Sequence, residues 1–170
     1  MEVVSHYKYL GLVVTSMLNW SKAQKTLAAQ AEKALYVLYR YGYRCDGLPY
    51  NIMSRLFDTM VEPIVLYGSE IWGHTVRKPI EQVHVKFCKR VLGLGRKASD
   101  ISAVGECGRL SLCVKYNVKC IRYWLKLMKM SNTRYPRQCY NMLKLLDDSG
   151  KVTWAGDVKA LLSKYGFYVV

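Results

Sequence analysis

Adjacent carboxylates at Asp147-Asp148 are the one pair in this sequence able to hold divalent cations as two-metal phosphoryl transfer requires. They close the helical pattern Leu143-Lys144-Leu145-Leu146 and run into Ser149-Gly150, so they read as a helix end entering a turn. Residues 77–140 contain only Glu81, Asp100 and Glu106, which form no acid cluster. His84 and Cys88 are four apart and would share a helix face, but zinc needs two more ligands and no second close pair exists. The cysteines at 45, 88, 107, 113, 120 and 139 lack C-x-x-C spacing and read as reduced, mostly buried thiols. No Gly-rich phosphate loop, nucleophile elbow or zinc-protease motif is present. The expectation is no catalytic residue, no metal, no cofactor and no activity from this chain alone.

Charge offers a different chemistry. The 170 residues carry 26 Lys and Arg against 12 Asp and Glu, net +14. Residues 77–140 hold fifteen basic side chains against three acidic ones, whereas residues 1–48 hold six against three. A surplus so concentrated points toward a polyanion, nucleic acid before an anionic membrane surface. Lys86, Lys89, Arg90, Arg96, Lys97, Lys115, Lys119 and Arg122 are the candidate contacts, either gripping phosphates or forming a solvated face. Tyr116, Tyr123, Trp124 and Tyr135 are interleaved with them, and Trp124 also fits a helix core.

The elements that must position these residues are mainly helical. With 51% apolar and 22% charged residues the composition is globular. The longest uncharged stretch, residues 9–21, falls short of the ~20 apolar residues of a spanning helix. Nothing at the N-terminus reads as a secretory signal, so an intracellular protein of nucleus or cytoplasm is expected, not a secreted one. Tyr7 to Thr15 reads as one strand with Gly11 as a bulge. Helices follow from Asn19 or Ser21 to about Tyr41, stopped by Gly42, then from Pro49, and from Pro63 to Trp72, where the proline starts or kinks the helix. Pro79 opens another helix, Ser99 caps a short one, and Leu112 to Met130 is the longest pattern. Two more run over about 137–146 and 154–164, before an apolar tail from Phe167 to Val170. The expected fold is a mainly α helical bundle of about six to seven helices led by one short N-terminal β-strand.

Four ordered blocks resemble the region after the catalytic palm of non-LTR (LINE-type) retrotransposon reverse transcriptases. The first is His6-Tyr7-Lys8-Tyr9-Leu10-Gly11-Leu12-Val13-Val14 with Leu18-Asn19-Trp20. The second is the run from Val61 to Gly73, with Pro63, Leu66-Tyr67-Gly68, Glu70 and Trp72. The third is Phe87-Cys88-Lys89-Arg90-Val91-Leu92-Gly93-Leu94. The fourth is Gly105-Glu106-Cys107-Gly108-Arg109-Leu110-Ser111-Leu112 followed by Arg122-Tyr123-Trp124-Leu125-Lys126-Leu127.

The resemblance implies a fragment of an RNA-directed DNA polymerase. Residues 1–18 would be a strand segment left from the palm edge, 19–76 thumb-like helices, 77–134 a basic helical region and 135–170 truncated C-terminal helices. Tyr9, Leu10 and Gly11 would be primer-grip-like. The catalytic aspartates lie upstream of this segment in the family, so the palm domain is expected to be missing and to act as a partner. The Cys/His knuckle found near the C-terminus of many members has no counterpart here.

The inherited role is then sequence-independent gripping of template–primer RNA or DNA by its backbone. A helical protein-interaction module without a nucleic-acid role is the alternative, and membrane-surface binding by the 112–130 helix a third. A strand without an internal partner would also leave an edge open to self-association, or leave residues 1–15 disordered.

Overall fold

The computed structural model describes residues 4–16, 19–45, 47–74 and 78–167. Leu18 of the first block, Arg77 and the last three residues of the apolar tail lie outside the described residues. The fold is mainly α and led by a short β element, as the sequence pattern predicts. It divides into two compact units, one of residues 4–67 with 78–112, the other of residues 68–74 with 113–167.

The first unit opens with a hairpin, which corrects the single strand expected over Tyr7 to Thr15. Strand β1 (His6–Tyr9) pairs antiparallel with β2 (Leu12–Thr15), Tyr9 facing Leu12 and His6 facing Thr15. Gly11 is a turn residue rather than a bulge: Leu10 at φ 46° and Gly11 at φ 87° give the two positive angles of a tight two-residue loop. Tyr67 fixes the turn by donating its hydroxyl to the Leu10 carbonyl at 2.6 Å. β1 is exposed throughout, while Leu12 and Val13 of β2 are buried and β2 lies on the first helix. The argument for self-association from a partnerless strand therefore loses its premise.

Helix α1 (Ser21–Arg44) is the longest helix among the described residues. Asn19 accepts the Ser21 N–H at 2.9 Å, and Ala23, Leu27, Ala31, Leu35 and Leu38 form the buried stripe. Gly42 does not stop the helix. It is a packing position inside it, where a Cβ would meet the Met53 sulfur at 3.4 Å. Helix α2 (Tyr50–Leu56), a π-helical turn (Phe57–Val61) and α3 (Glu62–Val65) run on without a break. Pro63 has no N–H to offer the preceding turn, and the widened π register directly before it lets the chain carry the proline. The helix ends after Val65 and does not reach Trp72.

Helix α4 (Ser69–Trp72) belongs to the second unit. The first unit is completed by α5 (Lys78–Val91) and α6 (Asp100–Glu106), the latter capped by Ser99, whose hydroxyl accepts the Ser102 N–H. Phe57, Val61 and Val65 share its core with Ile80, Val83 and Phe87, the Phe57 and Phe87 rings stacking at 4.4 Å between centroids.

The second unit contains α7 (Leu112–Met128) from its second residue, α8 (Tyr135–Asp148) and α9 (Trp154–Lys164). Pro136 lies in the first turn of α8, where a missing N–H costs nothing, so the helix begins at Tyr135 instead of after the proline. Cys120 packs with Val158, Leu161 and Leu162, while Leu127 packs with Tyr140 and Ala155. Gly73 must be glycine, because a Cβ would sit 2.3 Å from the Ser69 carbonyl and 2.5 Å from that of Tyr116. Among the described residues no helix is long and apolar enough to cross a membrane.

Candidate nucleic-acid interface

In the first unit, α1 and α5 lie side by side and leave a groove of about 790 Å³ between their outer faces. Four of the expected contact residues, Lys86, Lys89, Arg90 and Arg96, line it together with Tyr36 and Tyr39. The helix geometry explains the grouping. Ile80, Val83, His84, Phe87 and Cys88 face the core, so Lys86, Lys89 and Arg90 fall on the α5 surface turned to α1. Gly93 and Gly95 then turn the chain so that Arg96 returns to the same groove, and Lys97 beside it is exposed.

These cations differ in availability. Lys86 pairs with Glu32 of α1, both groups well exposed. Lys89 is only 13% exposed; it pairs with Asp100 at 2.5 Å and donates to the Arg96 carbonyl at 2.9 Å, so it braces the loop. Arg90 is exposed and lies over the rings of Tyr39 and Tyr43, at 5.8 and 5.3 Å from their centroids. Burial raises the Tyr39 phenol above its ordinary pKa while Arg90 works in the opposite direction, so the phenol stays neutral.

The groove continues along α1 into residues the sequence reading did not select. Tyr36, Tyr39, Arg40, Tyr43, Arg44 and Arg90 line an adjoining concavity that holds no acidic side chain. The signal was legible: positions 36, 39, 40, 43 and 44 recur at three- and four-residue steps, one face of a helix. Windowed charge counting hid it by averaging Arg40 and Arg44 with the acids at the other end of residues 1–48.

Arg109 belongs to the same basic stretch yet serves the core. Its side chain is 9% exposed; it donates to His84 Nε2 at 2.8 Å and to Ser54 Oγ at 2.7 Å, and it pairs with Asp58 and, at 3.6 Å, with Glu62. Burial disfavours its charge, but the Asp58 carboxylate outweighs this and its pKa is raised. Cys88 and Cys107 are buried beside it, and burial with the neighbouring thiol pushes Cys88 up to about 12.

Lys115, Lys119 and Arg122 lie in the second unit, at four- and three-residue steps along α7. Lys119 approaches Glu70 at 3.7 Å, and Arg122 borders a shallow concavity with Lys126 and Lys129. The aromatics interleaved with them are structural: Tyr116 is buried, Trp124 donates its indole N–H to the Tyr140 hydroxyl at 3.0 Å, and Tyr123 meets Trp154 edge-on. Only Tyr135 of that set is largely exposed. Tyr9, Leu10 and Gly11 come together at the hairpin tip, Tyr9 and Leu10 exposed.

Asp147 and Asp148 end α8 as read, and among the described residues no group of three or more His, Cys, Asp or Glu could hold a metal. The cysteines are free, three of them buried. No known protein family, curated protein or solved structure matches the chain.

Proposed function

We propose that this chain grips nucleic acid through its backbone without reading sequence, as the thumb-like region of a non-LTR retrotransposon reverse transcriptase would. The observation that carries the reading is the gathering of Lys86, Arg90 and Arg96 with Arg40 and Arg44 along one α1–α5 surface. Phosphate contact needs fixed cations and tolerates any base order, and nothing on this surface resembles a helix presented to a major groove. The four sequence blocks supply the family; the retrotransposon origin and the polymerase context rest on them alone.

Salt dependence tests the reading. With about six phosphate contacts, from Arg40, Arg44, Lys86, Arg90, Arg96 and Lys97, log affinity falls against log salt with a slope near −5. Replacing Arg40, Arg44, Arg90 and Arg96 together by Ala flattens that slope by about three to four units. Lys89 is left out, since its loss would loosen the 93–100 loop. A slope unchanged by the quadruple variant rejects this surface as the contact.

A protein-interaction module is the second reading, favoured by α8, where exposed Tyr135, Met142 and Leu145 form an apolar stripe. Its signature is binding to a protein partner that survives salt sufficient to abolish nucleic-acid binding.

A further inference from the structure

The concavity on α1 is built for more than phosphates, and we infer that it holds the bases of a single strand, stacked on Tyr36 and Tyr43. This rests on the reading of the surface as a nucleic-acid grip. Tyr36 and Tyr43 are 68% and 66% exposed, far more than a tyrosine needs for packing. Seven residues apart, they lie on the same helix face about 10 Å from each other along the axis. Arg90 sits over the Tyr43 ring at 5.3 Å, so one aromatic face is backed by a guanidinium and the ring is held in place. Tyr39 between them is half-buried, and its hydroxyl donates to the Lys86 carbonyl at 3.4 Å, closing the floor of the concavity.

The composition of the site selects its occupant. Three tyrosines and three arginines with no acidic group offer π-faces and positive charge in alternation. An apolar peptide would leave Arg40, Arg44 and Arg90 without counter-charges, and an acidic one would leave the rings unused. A duplex presents phosphates to the arginines, but its bases are already stacked on one another and cannot reach the tyrosines. An unpaired strand matches both features, with bases on the rings and phosphates on the guanidiniums.

Fluorescence anisotropy at low salt, using three labelled probes of about a dozen nucleotides, tests this: an oligothymidylate, an abasic strand of equal length and a duplex. The oligothymidylate binds about tenfold or more tighter than the abasic strand. The double variant Tyr36→Leu with Tyr43→Leu erases that difference and leaves the abasic affinity unchanged, while Tyr36→Phe with Tyr43→Phe retains it. Equal affinity for the two strands in the native protein overturns the inference, as does a difference that survives the leucine variant. If the strands bind equally while the duplex binds with a steep salt slope, the backbone grip stands and the stacking falls. If none of the three probes binds, both readings fall.

Discussion

Replacing Arg109 by Met should destabilise the first unit severely while leaving the α1–α5 surface untouched. The guanidinium is nine-tenths buried and has four polar partners, His84, Ser54, Asp58 and Glu62, besides lying 4.8 Å from the centre of the Phe57 ring. Methionine fills the volume but supplies no donor, so the largely buried Glu62 carboxylate loses its cation and His84 Nε2 its donor. Asp58 is 43% exposed and water recovers part of its loss. Removing one partner of a buried charge pair costs about 3–5 kcal/mol, and the exposure of Asp58 places the expectation toward the lower end. With urea m-values of about 1–3 kcal/mol per molar, the unfolding midpoint should drop by roughly 1–3 M. Lys86→Ala is the control: its pair with Glu32 is solvent-exposed and worth at most about 1 kcal/mol. A cost for Arg109→Met below about 1 kcal/mol would refute the view of this arginine as the buried tie between the 107–111 segment and α2–α3.

Two further outcomes can be checked on the same protein. Leu10→Asn should stabilise by up to about 1 kcal/mol in urea unfolding, because leucine at φ 46° is strained where asparagine is at ease; a loss of stability would show that the exposed leucine makes a contact that the turn alone does not explain. Burial pushes the Cys88 and Cys120 thiols from 9.0 up to about 12, aided by the Cys107 thiol in one case and by Asp157 and Glu70 in the other. A folded pKa above the unfolded one gives stability that is complete below about pH 9 and declines from there to about 12. Each thiol then costs about 1.4 kcal/mol by pH 10, and Cys120→Ala should flatten that decline in the second unit.

The helices were legible because burial imposes a period that a sequence can display. Ile80, Val83 and Phe87 mark the inner side of α5, and Ser99 and Thr153 announce α6 and α9 by accepting the N–H groups of Ser102 and Gly156. What was not legible depended on partners far along the chain. Gly42 looks like a stop until Met53 is packed over it. Pro63 looks like a start or kink until the π turn before it absorbs the missing hydrogen bond. The hairpin was hidden because its turn uses Leu10, a residue that rarely takes positive φ, and because the hydroxyl that secures it comes from Tyr67, 57 residues away.

The same physics explains why half of the candidate surface escaped a reading by charge. A count along the chain weighs residues by sequence distance, but a ligand meets them by helix face. On α1, Lys22, Lys25, Glu32 and Lys33 are near neighbours of the tyrosine stripe in the count, yet only Glu32 reaches the groove, where it is engaged with Lys86. Arg40 and Arg44 share a face with Tyr36 and Tyr43, and α5 brings Arg90 onto that face from a segment more than forty residues later. Conversely, Lys89 and Arg109 stand in the most basic stretch and are spent on Asp100 and on Asp58 and Glu62. The usable positive charge of the first unit is therefore smaller than the composition suggests and more aromatic in its setting. That difference separates a general polyanion sink from a surface able to tell an unpaired strand from a duplex.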